Sequence, residues 1–132
     1  MTPDITHDAV LTFAEGLPGF EASRRFVLIQ SPTLAPFRLV QALEEHGPSF
    51  IAIDPHGLDP EYRVSLERAD LARLQASAEQ PLLWLAIVSA PADGPATVNL
   101  RAPLVINPAS MRAIQVVPST AAYRVDHPLP VE

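Results

Sequence analysis

The 132-residue sequence contains no cysteine and no lysine, and each absence removes a class of chemistry. Without cysteine there is no disulfide framework, no thiolate nucleophile and no cysteine-ligated metal. Without lysine there is no Schiff-base chemistry and no phosphate-loop lysine. Positive charge is scarce overall: nine arginines against 15 acidic residues leave a net charge of −6. Gripping a nucleic-acid backbone needs clustered positive charge, so no direct binding to nucleic acid is expected. A basic protein is the better match, because opposite fields steer encounter. The most apolar run, residues 82–88, is far too short to span a bilayer, and no basic segment followed by an apolar one opens the chain. A cytoplasmic protein without membrane association is the expectation.

What is present points to a folded β domain. Hydrophobic residues make up 48% of the chain and charged residues only 18%, a balance that folds rather than staying disordered. The length suits one domain, residues 1–132, with room for a real core. Prolines number 15, and they fall between short apolar runs. Strands are expected at residues 10–13, Arg25–Ile29, 37–43, Ser49–Ile53, 62–66, 82–90, Thr97–Asn107 and 111–117. A polar segment, residues 1–8, precedes them, and an extended tail, 123–132, follows. One helix is expected at 69–76, with Leu71 and Leu74 on one face and Arg68 and Arg73 toward water. Turns every eight to twelve residues describe a mainly β fold: a small antiparallel barrel-like single domain with one short helix.

In the turn Glu15-Gly16-Leu17-Pro18-Gly19-Phe20-Glu21, Gly16 and Gly19 can take positive φ while Leu17 and Phe20 pin the loop to the core. Phe20, Phe50 and Trp84 read as core residues. The organising stretch is Thr97–Asn107, in which Val98, Leu100, Ala102, Leu104 and Ile106 alternate with the polar Asn99 and Arg101. Pro103 removes a backbone donor in mid-run, which argues for an edge, a bulge or a bend. An edge of that kind has to be covered or it binds something.

No catalytic constellation stands out. Asp54, His56, Asp59 and Glu61 could in principle converge on a metal, as in a small metal-dependent β-barrel enzyme. Pro55, Gly57 and Pro60 already explain the segment as a bend, and that reading is preferred. No serine sits in a G-x-S-x-G setting, and the adjacent Glu44 and Glu45 read as a solvated turn. No metal, cofactor or catalytic residue is assigned.

The segments Gly16-Leu17-Pro18-Gly19-Phe20-Glu21, Phe50-Ile51-Ala52-Ile53-Asp54-Pro55, Pro60-Glu61-Tyr62, Thr97–Asn107, Gln115-Val116-Val117 and Tyr123-Arg124-Val125-Asp126-His127-Pro128-Leu129 closely resemble the bacterial flagellar assembly factor FliW family. The match runs from about Phe13 to Leu129, and the T-V-N-L-x-A-P-L-V-I-N run is its most specific part. The resemblance implies a non-enzymatic cytoplasmic β barrel. It also implies two alternative partners, the translational regulator CsrA and flagellin. FliW would weaken the grip of CsrA on flagellin messenger RNA allosterically, and flagellin would release CsrA by occupying FliW. A dedicated flagellin chaperone without CsrA regulation is the alternative. The family usually has a fuller strand pair before G-L-P-G-F, where only residues 1–15 stand here. The expected partner contacts are Asn99, Arg101, Pro103 and Asn107 on the organising strand, with Tyr123, His127 and Leu129 in the tail. Asn99, Arg101 and Asn107 could equally satisfy backbone around the proline, and Leu100 and Leu104 read as core.

Overall fold

Prolines and turns cut the chain into short strands, and the strands close on themselves. The computed structural model describes residues 9–118 and 122–129. The segment 1–8 and the last three residues of the tail lie outside the described residues. The strands are β1 (Ala9–Thr12), β2 (Arg25–Ile29), β3 (Phe37–Ala42), β4 (Ser49–Ile53), β5 (Leu83–Ser89), β6 (Thr97–Asn107), β7 (Arg112–Gln115) and β8 (His127–Pro128), with one α-helix, α1 (Arg68–Leu74). Strand order β5-β4-β3-β2-β1-β7-β6, with β6 returning to β5, makes a closed seven-stranded barrel, and β8 adds outside β6. Neighbours are antiparallel except β1 and β7, which meet in parallel at the single pair Thr12 and Arg112. Closure removes the exposed edges that an open sheet of short strands would leave.

The barrel interior is filled by alternate residues of each strand, including Leu11, Phe26, Leu28, Val40, Ala52, Leu85, Leu104 and Ile106. A second layer lies outside it. The connection from β4 to β5, residues 54–82, crosses the outer face of β5, β6 and β7. There it encloses Tyr62, Ala86, Val98 and Leu100 in one cluster, and Leu74, Val105, Ile114 and Val116 in another. Strand β5 is therefore covered on both faces, as its nearly continuous apolar run predicts.

Three expectations need correction. Residues 62–66 alternate in burial but pair with no strand: Tyr62, Val64 and Leu66 pack down onto the sheet face, and the segment runs across strands rather than beside one. Phe20 is 45% exposed, resting edge-on against Phe50 at 5.7 Å while Leu17 alone is buried. Finally, the alternating apolar residues of β6 do not share a face. Leu85 pairs with Leu104 and Ile87 with Asn99, so two steps along β5 span five along β6. An odd number of extra residues reverses the inward and outward sides. Val98 and Leu100 accordingly lie in the outer cluster, whereas Leu104 and Ile106 fill the barrel.

Candidate docking surface

The bulge in β6 is where the expected contacts concentrate, and its backbone is satisfied from within the chain. The Leu100 N–H donates to Arg124 O at 3.0 Å. The Arg101 and Ala102 N–H groups both donate to Asn99 Oδ1, each at 3.1 Å. Pro103 has no N–H to satisfy, so its place in the bulge costs no ladder bond. Carbonyls are met as well: Tyr62 Oη donates to Leu100 O at 2.6 Å, Gln115 Nε2 to Ala102 O at 3.1 Å, and Val116 N–H to Pro103 O at 2.9 Å. The stretch is thus a bulge rather than an edge, and its donors are closed to a partner's backbone.

Burial then sorts the candidate residues. Pro103 is buried, and Asn107 is 0% exposed. Asn107 Nδ2 donates to the carbonyls of Leu74 and Gln75 at 2.8 and 3.2 Å. Its Oδ1 accepts from the Ala109 N–H at 2.9 Å and from Gln80 Nε2. Every hydrogen-bonding position of the amide is used, and two of the bonds terminate α1. Neither Pro103 nor Asn107 can present its side chain to a docking protein, which corrects both as contacts. Asn99 is half-buried and turned to its own backbone.

The tail seals the same region. His127 pairs with Val98 and Pro128 with Thr97, and Leu129 N–H donates to Ala96 O at 3.1 Å. His127 Nδ1 lies 2.8 Å from Pro128 O, and Leu129 packs on the outer cluster beside Tyr123. The Tyr123 and Tyr62 rings are 4.5 Å apart, and Tyr123 Oη accepts from the Arg63 N–H at 2.9 Å. Burial, with the neighbouring Tyr123, pushes the Tyr62 phenol above the ordinary tyrosine value of 10.0. A phenol held neutral there remains a donor to Leu100 O.

Arg101 and Tyr123 meet in a cleft of about 590 Å³ between the β4–β5 connection, the β6 bulge, the end of β7 and the tail. Arg63, Val64, Gln115 and Val117 line it with them. Sequence reasoning missed Arg63 and Val117, because no pattern in residues 54–82 says that the connection crosses β6. The suspected metal loop is occupied by local bonds: Asp54 Oδ1 lies 2.8 Å from His56 Nδ1 and accepts the His56 N–H, while Asp59 Oδ1 accepts the Glu61 N–H at 3.0 Å. Among the described residues no three His, Asp or Glu side chains are grouped to hold a metal. No helix among them is long and apolar enough to cross a membrane.

Fold and surface together define a class: a closed β barrel with one α-helix among the described residues, a locked bulge, and a lateral cleft lined by arginine, carboxylate, tyrosine and valine side chains. Within that class the assignment is specific. The family model described as FliW protein matches residues 2–129, and the chain belongs to the FliW family. The flagellar assembly factor FliW of Syntrophotalea carbinolica is 36% identical over 118 residues, covering 89% of this chain and 84% of that protein. The flagellar assembly factor FliW of Treponema pallidum is 34% identical over 132 residues, covering 99% of this chain and 87% of its own. A crystal structure of the flagellar assembly factor FliW superposes with a TM-score of 0.82 at 31% identity, over 93% of this chain and 86% of that one.

Proposed function

We propose that this protein is a non-enzymatic flagellar assembly factor of the cytoplasm that binds CsrA and, alternatively, flagellin, so that flagellin synthesis follows filament assembly. The observation that carries the reading is the family match over residues 2–129, which spans both the β6 bulge and the tail. The acidic net charge of −6 supports a basic, RNA-binding partner. A switch of this kind needs two linked binding equilibria and no chemistry. On the protein's side, Arg101, Tyr123, His127 and Leu129 are the contacts retained from the sequence, with Asn99 shaping the loop that carries Arg101.

Calorimetric titration with CsrA and with flagellin from the same organism tests this. The expected result is binding to each, with CsrA binding lost once the protein is saturated with flagellin. Binding to flagellin alone would remove CsrA from the account and leave a chaperone. Binding to neither would refute it.

A further inference from the structure

Of the arginines that make no ion pair with a described residue, two, Arg63 and Arg101, share one cleft. In the cleft, Arg73 is taken: its guanidinium lies 2.9 Å from Glu15 Oε2 and 3.3 Å from Asp70 Oδ1. Arg63 and Arg101 are exposed, and neither side chain makes an ion pair with any described residue. Both have a fixed main chain, Arg63 through Tyr123 Oη and Arg101 through Asn99 Oδ1. Beside them Val117, 66% exposed, offers an apolar wall with the half-buried Val64.

We propose that this cleft captures an acidic, extended segment of a partner protein, with carboxylates on Arg63 and Arg101 and an apolar side chain against Val117. Guanidinium groups favour carboxylates because the planar fork can bond both oxygens. The cleft's volume falls in the range of sites that enclose a short ligand rather than a flat contact. A nucleic acid also carries anions, but its long run of charge meets repulsion from a chain of net charge −6. Two carboxylates, Glu67 and Asp70, also line the cleft. Asp70 is taken up by Arg73 and by the Glu67 N–H, so a short acidic segment meets Arg63 and Arg101 against the one remaining carboxylate of Glu67. The inference rests on the flagellar reading for the partner's biological identity, and on the cleft alone for its chemistry.

The test follows amide chemical shifts of the full chain during titration with three probes. These are a blocked peptide alternating aspartate and leucine, the same peptide with asparagine for aspartate, and succinate. The aspartate peptide is expected to move the Arg63, Arg101, Val117 and Tyr123 amides, and Arg63→Gln with Arg101→Gln is expected to weaken it by about tenfold. Removing two exposed arginines outside the cleft, Arg25→Gln with Arg68→Gln, is expected to leave binding unchanged. Equal binding of the asparagine peptide, or equal loss in the control pair, would overturn the proposal. So would a match by succinate, which would mark a small-carboxylate site instead. The flagellar reading fails separately, by absence of binding of wild-type protein to both flagellin and CsrA whatever the peptides do.

Discussion

At the scale of single residues, the polar side chains of the organising strand differ: Arg101 is exposed, Asn99 is half-buried and Asn107 is fully buried. Asn107 looks from sequence like a surface amide at a strand end. It is instead the buried link between β6 and the last turn of α1, bonded to the carbonyls of Leu74 and Gln75. Replacing it with alanine strands those buried groups, and we expect Asn107→Ala to lower unfolding free energy by about 2–3 kcal/mol in a denaturant titration. Retained stability would show that water or neighbouring groups replace the amide. Tyr62 carries a pH dependence with a definite sign. Its folded-state pKa lies above the ordinary value of 10.0, so its contribution to stability is complete below that pH and declines as pH rises beyond it. Thermal melts should therefore fall more steeply above pH 10.0 in wild type than in Tyr62→Phe, which has no phenol to ionise. Parallel alkaline profiles would contradict this.

At the scale of elements, what could be read in the sequence was what depends on local pattern. The apolar run of β5, the short helix, and the Gly16 to Glu21 turn all follow from neighbours within a few residues. Gly16 and Gly19 do take positive φ, 69° and 86°. A Cβ on Gly16 would come within 2.6 Å of Glu21 Cα, where backbone has to move. Gly16→Ala combines that clash with a left-handed conformation, and a loss of about 2 kcal/mol or more is expected in chemical denaturation. A near-neutral result would mean that the loop relaxes away from its buried Leu17. What was not legible was any relation across the bulge. Pro103 signalled an irregularity, but not the number of extra residues. That number decides whether Val98 and Leu104 share a side. The segment 62–66 misled for a related reason: alternation records a face that is covered, and a chain lying across strands covers alternate residues as well as one lying beside them.

At the scale of the whole molecule, the closed barrel and the layer outside it explain how a short chain holds a fixed surface. The parallel seam between β1 and β7 is a single pair, and it is reinforced from outside by α1 packed on β7 and by Arg73 reaching Glu15 at 2.9 Å. The class of fold was legible because short runs and proline-rich turns describe a barrel. The cleft was not, because Arg63, Arg101 and Tyr123 are brought together only by tertiary contacts between distant segments. On the proposed function, the barrel with its arginine-bearing cleft would exchange protein partners. The most direct test is displacement of labelled flagellin leader RNA from CsrA, both from the same organism. Adding this protein should release the RNA, and adding equimolar flagellin afterwards should restore the complex. RNA that stays bound at saturating protein, or release that flagellin does not reverse, would contradict the account.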